Sequence, residues 1–480
     1  MQMNECSFFQ NPPRDSRRGV HASFALHRSA RGRFARASAA VSIFAALLLA
    51  AGCNSNSTPT APTTVTNTGA KNQGNFKTTV FLGDSLTAGY QSGSLEDVLQ
   101  VHGWAPLVAA QAAFNITQPL IAPPGAPAVL QLTSLGPPPT ITQTSGTTIG
   151  RDNPTVQPTD LAVPGAEVND VLNTVPLVIP TTGQEIITQL VLGYPGLATG
   201  FASSQAESAA QAKPTTIFLW IGNNDALVAD ETGMPASMTS VADFTTQYKQ
   251  LLVYLTSKTT AHLVIGNIPD VTLVPYLTPA TLILGEYSAI TGIPAATLSA
   301  MLGIVPGDKV NPTGLGEISK ILGGKQKGPI DDAGVLSAAE IATVQAQVVA
   351  YNQVISTEAT AAGATLVDIN ALFAQTAANG VAVNGFTANF SFLGGLFSLD
   401  GVHPTNTGYA LVANKFIDTM NSADSTTIAD VSLSVVAKTD PLFPPNFPKP
   451  PAVAPTSHIS AAAGKYLDSV MLPARLTTNR

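Results

Sequence analysis

A serine hydroxyl becomes a useful nucleophile only when a base takes its proton, and that base works only when a third group fixes its tautomer. The sequence places the required residue types in separated stretches. Val80-Phe81-Leu82-Gly83-Asp84-Ser85-Leu86-Thr87 carries an apolar run into a glycine turn with a serine just beyond it. Asp400-Gly401-Val402-His403-Pro404 sets a carboxylate three residues before an imidazole, ahead of a helical stretch at 405–420. Between them, Trp220-Ile221-Gly222-Asn223-Asn224-Asp225 closes an apolar run with side-chain amides. Such an amide can donate to the oxyanion of a tetrahedral intermediate. Taken singly, each stretch has a plainer reading: Ser85 as a helix N-cap, His403 as a turn residue before proline, Asn224 as an Asx turn.

The elements that would bring these residues together are legible as apolar runs. Five of them, at 79–82, 160–163, 216–221, 262–266 and 365–369, are short and apolar enough to be buried parallel strands. Helical patterns separate several of them. The clearest is 337–361, where Ile341, Val344, Val348, Tyr351 and Ile355 recur at steps of three and four behind a Ser337/Glu340 capping box. Alternating strand and helix predicts a parallel α/β sheet covered on both faces. In such sheets ligands bind at the carboxyl ends of the strands, which is where Ser85 and Asn224 fall.

Three stretches interrupt the rhythm, at about 115–157, 176–212 and 271–335, and read as insertions at loop positions. The third holds apolar pieces at 280–290 and 295–304 that either pack on the domain or cover a cleft. Beyond 421 the prolines at 441, 444, 445, 448, 450 and 451 predict an extended tail, 422–480.

With Gly165 in Ala162-Val163-Pro164-Gly165-Ala166 added, the stretches around Ser85, Gly165, Asn224 and Asp400/His403 follow one another in the order of the sequence blocks of the GDSL, or SGNH, hydrolases. The chain resembles that family over roughly 77–421. The resemblance implies a three-layer α/β/α sandwich on a five-stranded parallel sheet of flavodoxin-like type, and hydrolysis of esters without metal or cofactor. It also implies roles: Ser85 as nucleophile, His403 as base, Asp400 as its partner, and an oxyanion hole from the Ser85 and Gly165 N–H groups with the Asn224 side chain. Within the family the substrate stays open, acyl-chain esters and O-acetylated carbohydrate being the two main alternatives. A surface lipoprotein that binds glycan or lipid without turnover is the rival from another class. Asp84 and Asp225 read as loop-holding carboxylates, His102 and His262 as structural, and Asn267 and Asp270 as residues after a strand end that either hold the loop or line the cleft.

Composition bounds the rest. Charged residues make up only 11% of the 480, well below the roughly 25% usual for soluble domains, so the surface is built from neutral polar residues. The first 52 residues hold seven arginines against Glu5 and Asp15, then an uncharged run from 37 to 52, the pattern of a signal peptide. Leu49-Ala50-Ala51-Gly52-Cys53 resembles a bacterial lipobox, with the leucine four rather than three places before the cysteine. This implies a lipid on Cys53, a polar tether over 53–76 and a place in the cell envelope, most simply the outer membrane. Ordinary cleavage near Ala51, leaving a free thiol, is the alternative. Without the leader the chain keeps 16 basic and 28 acidic residues, a net −12 that disfavours nucleic acid. Cys6 and Cys53 are the only cysteines, so the folded part has no disulfide framework.

Overall fold

In the computed structural model, residues 74–447 are described, apart from 136–138 and 147–148. The leader, Cys53, most of the tether and the last part of the tail lie outside the described residues, and the expectations about them rest on sequence alone. Strand β1 (Thr79–Gly83) pairs in parallel with β2 (Thr216–Trp220), β2 with β3 (His262–Gly266), and β3 with β4 (Thr365–Val367). The register sets Phe81 beside Phe218 and Gly83 beside Trp220. β1 and β2 are buried at every position, which is why they read as unbroken apolar runs rather than as alternation.

The fifth expected strand is present only as an edge segment. Asp160 bridges Phe81 in parallel, and the amides of Leu161 and Val163 donate to the carbonyls of Phe81 and Gly83 at 2.9 and 3.1 Å. The segment does not extend into a ladder, because the Gly83 amide, next in line for a carbonyl of the segment, donates instead to Gln205 Oε1 (3.0 Å), and Pro164 follows. With that segment outside β1, the spatial order is that of a doubly wound sheet, the second segment at one edge and the first beside it.

Helices cover both faces. α1 (Trp104–Gln111) sits where Trp104 meets Phe81 edge-on at 5.5 Å. The chain then crosses over: α2 (Val168–Asn173), α3 (Gln205–Ala212) and α5 (Val241–Lys258) pack together, while α4 (Asn223–Thr232) is buried along its whole length. α6 (Ala338–Ala362) lies along α5, with the Phe244 and Tyr351 rings stacked at 4.0 Å. Its capping box and its buried positions Ile341, Val344, Val348, Tyr351 and Ile355 are those the sequence predicts. α7 (Asn406–Ala423) returns to the face of α1, and Phe416 stacks on Trp104 at 4.0 Å. These stacked rings and the aliphatic faces beneath them form one continuous core.

The insertion at 271–335 folds into helices Ala280–Thr291, Ala295–Leu302 and Pro312–Leu322 beside a three-stranded miniature sheet. It is fastened to the domain at the end of α4: the Asn311 amide donates to the carbonyls of Asp230 (3.1 Å) and Glu231 (3.3 Å), groups a helix C-terminus leaves without partners. Residues 422–447 depart from the expected extended tail. Leu433–Thr439 is helical, Phe443 is buried against Phe386, and Asp440 accepts from the amide and hydroxyl of Thr407 at 2.8 and 2.7 Å. The apolar residues between its prolines bring this part back onto the domain. No helix among the described residues is long and apolar enough to cross a membrane.

Candidate active site

The carboxyl end of β1 delivers Ser85. The Gly83 amide and carbonyl, where the ladder stops, are met by both ends of the Gln205 side-chain amide at 3.0 Å each. Asp84 then caps the short helical turn Ser85–Ala88, accepting from the Leu86 amide at 2.9 Å, and its other oxygen accepts from Asn223 Nδ2 at 2.8 Å. Asp84 therefore holds the loop, as expected. Burial pushes its carboxyl up to about 6 against the opposing pull of Asn223, the Leu86 amide and the His403 field.

β2 is followed by Gly222, the residue before α4, whose φ of +106° suits glycine alone; a Cβ there would also meet the Phe244 ring and Ile268 too closely, at 3.0 and 2.8 Å. The turn sends Asn223 back to Asp84 and lets Asn224 Nδ2 donate to the Ala166 carbonyl at 2.8 Å. One of the two Nδ2 protons is thereby fixed, which orients the amide and leaves its second proton as a donor. Gly165 precedes Ala166 with φ +78°, in the turn that follows the edge segment. Asp225 accepts from the Val168 amide at 3.0 Å and so ties α4 to α2.

No strand leads into the Asp400–His403 loop. His403 Nδ1 lies 3.0 Å from Asp400 Oδ2, and Nε2 lies 2.7 Å from Ser85 Oγ, across 318 residues of chain. An ionised carboxylate only accepts, so Nδ1 carries the proton toward Asp400 and Nε2 is free to accept from the serine hydroxyl. Asp400 is saturated with donors: Val402 and His403 amides (2.9 Å each) and Ser398 Oγ (3.3 Å) reach Oδ1, and the Gly93 amide (2.7 Å) reaches Oδ2 beside His403. Burial alone would raise this carboxyl, but the His403 charge and the bonds from His403 and Val402 outweigh it and hold it below the usual carboxylate range. Ser85, Asn224, Asp400 and His403 are all buried, and the Tyr90 ring lies against His403 at 4.7 Å.

Other sequence candidates fall outside this group. Asn267 donates to Asp368 (2.9 Å) and accepts from the Asn370 amide, and Asp270 caps the turn Val271–Leu273, so both are loop holders. His262 binds Thr365 Oγ1 at 3.1 Å and faces Asp424 at 3.4 Å, a structural place. His102 is half-buried in a turn between two helices. Sequence reading passes over Gln205, Tyr90, Ser92, Gly93 and Ser398. A Ser-Gly pair at 92–93 signals a turn, but nothing local says that the turn meets residue 400.

A bound ester carbonyl placed at Ser85 Oγ would meet a hydroxyl already hydrogen-bonded to a base, and a base whose far nitrogen is anchored by an ionised acid. That is the arrangement of nucleophile, base and orienting group that acyl transfer needs.

The family model described as GDSL-like Lipase/Acylhydrolase matches residues 79–416. Two solved structures align with the chain at low similarity. One is an alpha/beta hydrolase enzyme from the metagenome of Lake Arreo, Spain, at 12% identity, TM-score 0.33, covering 74% of this chain and 98% of that one. The other is phospholipase A1 from Streptomyces albidoflavus, at 15% identity, TM-score 0.31, covering 72% and 98%. No curated protein sequence matches.

Proposed function

The chain belongs to the GDSL-like lipase/acylhydrolase family and is an esterase or lipase of that type, and on that premise we propose that it cleaves carboxylic esters through an acyl-enzyme on Ser85. Ser85 Oγ attacks the ester carbonyl carbon while His403 Nε2 takes the hydroxyl proton. The N–H groups of Ser85 and Gly165 and the second proton of the Asn224 amide receive the charge that forms on the carbonyl oxygen. The carbon–oxygen bond to the alcohol breaks, and His403 returns the proton to the departing oxygen. Water then attacks the acyl carbonyl, giving its proton to His403, and Ser85 recovers it as the acid leaves.

The observation that carries this reading is the unbroken line from Ser85 Oγ through His403 to Asp400, at 2.7 and 3.0 Å. A binding module has no chemical need for a base so held. Fluorophosphonate labelling followed by peptide mass spectrometry tests it: the label belongs on Ser85, and an unlabelled protein points to binding without turnover. Esters of increasing acyl length, against acetylated carbohydrate, then decide the substrate class, for which acyl-chain esters are the proposal. The lipobox-like stretch ending at Cys53 supports an enzyme tethered in the cell envelope. Equal release of wild type and Cys53→Ala into the soluble fraction overturns that part.

A further inference from the structure

The loop that bears Asp400 and His403 is held by a hairpin far away in sequence. Gln91 and Ser94 exchange both backbone hydrogen bonds, at 2.9 and 3.1 Å, around the two residues Ser92 and Gly93. Both turn residues have positive φ, +51° and +72°, as the type I′ turn of a tight hairpin requires. A serine in that region is uncommon and carries strain that glycine would not. The turn amides point away from the hairpin. Gly93 N–H donates directly to Asp400 Oδ2 at 2.7 Å, while Ser92 N–H donates to Ser398 Oγ at 2.9 Å, and that hydroxyl passes its own proton toward Asp400 Oδ1.

The hairpin is itself held in place. The Tyr90 hydroxyl donates to the Gly93 carbonyl (2.7 Å), the Tyr409 hydroxyl to the Tyr90 carbonyl (2.6 Å), and Gln91 Nε2 to Asn406 Oδ1 (3.0 Å). From outside, the insertion at 115–157 supports it: the Leu130 amide donates to the Ser92 carbonyl at 2.9 Å, and Leu95 and Ala126 exchange backbone bonds.

We propose that the Gln91–Ser94 hairpin, acting with Ser398, is the positioning device for Asp400, gripping both carboxylate oxygens so that the group is aimed at His403. Ser92, Gly93 and Ser398 are then positioning residues, and the insertion at 115–157 is a buttress for the site. This rests on the Ser85 acyl-enzyme reading. The titratable groups facing Asp400 are His403, Tyr90 and Tyr409, and Asp84 acts on His403 from the nucleophile's side. Removing a donor from Asp400 leaves its negative charge less compensated beside the imidazole, so the acid limb of activity moves to higher pH.

The test is kcat/KM against pH on a short soluble ester for wild type, Ser398→Ala and Ser92→Gly, with thermal midpoints and fluorophosphonate labelling of each. Ser398→Ala is expected to move the acid limb up by about half a pH unit or more, the scale of one lost bond to a carboxylate. Ser92→Gly keeps the turn amides and gives up only the long contact of the Leu399 amide with the Ser92 hydroxyl (3.5 Å), so its limb moves less than that of Ser398→Ala; an equal or larger move would overturn the assignment to the turn amides. A Ser398→Ala protein that is less stable but labelled, with its limb unmoved, overturns the inference and leaves the acyl-enzyme reading standing. A wild type that is never labelled overturns both. If Ser398→Ala does not fold, Tyr90→Phe frees the Gly93 carbonyl while keeping the ring on His403; a smaller shift in the same direction supports the proposal, and no shift overturns it.

Discussion

Asp400, in a loop, and Asp225, in the first turn of α4, are both wholly buried, yet their carboxyl groups are pushed in opposite directions. Burial raises each. At Asp225 it is joined by the negative field of Glu167 and Asp170, against the Thr239 hydroxyl and the Val168 amide, and the group is pushed up to about 8. At Asp400 the charge of His403 and the bonds from His403 and the Val402 amide reverse the balance. Two carboxylates of equal burial thus do different work. One, in the proposed oxyanion region, is pushed toward its neutral form and fastens α2 to α4. The other, in the base region, keeps its charge and passes its influence to His403.

The same contrast separates the two regions as wholes. Ser85, Gly165 and Asn224 each follow directly from a strand end or from the edge segment beside β1, so the ladder places them. Asp400 and His403 follow no strand; they depend on the hairpin, on the Tyr276 amide reaching the Gly401 carbonyl at 2.9 Å, and on the Ser398 amide reaching the His403 carbonyl at 2.8 Å. The oxyanion region should therefore tolerate changes to distant loops that the base region does not.

The change that removes what both regions serve has the largest effect. Ser85→Ala abolishes acyl-enzyme formation and probe labelling while leaving the thermal midpoint near wild type, and residual labelling elsewhere would show another nucleophile. Asp400→Asn reverses the hydrogen bond to His403 and favours the wrong tautomer, so kcat falls by about 10⁴ if the protease template carries over. A kcat near wild type would mean that His403 is oriented by its backbone alone. Asn224→Ala takes one donor from the oxyanion, lowering kcat by about 10² to 10³ with KM little changed, because the bond strengthens only in the transition state. A rise in KM alone would reassign Asn224 to substrate binding.

The smallest effect on catalysis is expected at Asp225. Its folded pKa lies above the ordinary 3.8, at about 8, so between those values the folded state binds more protons than the unfolded one, and stability falls as pH rises through that window. Asp225→Asn still accepts from the Val168 amide, so it should flatten the fall of the thermal midpoint with pH between about 4 and 8 while kcat stays close to wild type. A large loss of kcat with no change in that slope would place Asp225 in the reaction rather than in the frame.

The sequence by itself determined the parts whose reasons are local. Apolar runs without alternation mark strands buried on both faces, a capping box marks the start of α6, and Gly83-Asp84-Ser85, Gly222 with Asn224, and Asp400 with His403 mark chemistry because each pairs a reactive side chain with a turn that exposes it. Tertiary structure decided what depends on residues that meet only when the sheet closes. The segment at 160–163 stops short of a full strand because the Gly83 amide that would continue the ladder is taken by Gln205. Residues 422–447 pack back because Phe443 and Asp440 find partners at 386 and 407. Gln205 meets Gly83 across 122 residues and Gly93 meets Asp400 across 307. Each of these contacts joins a backbone group to something with no fixed spacing from it, and a hydrogen bond of that kind leaves no period or motif in the chain to read.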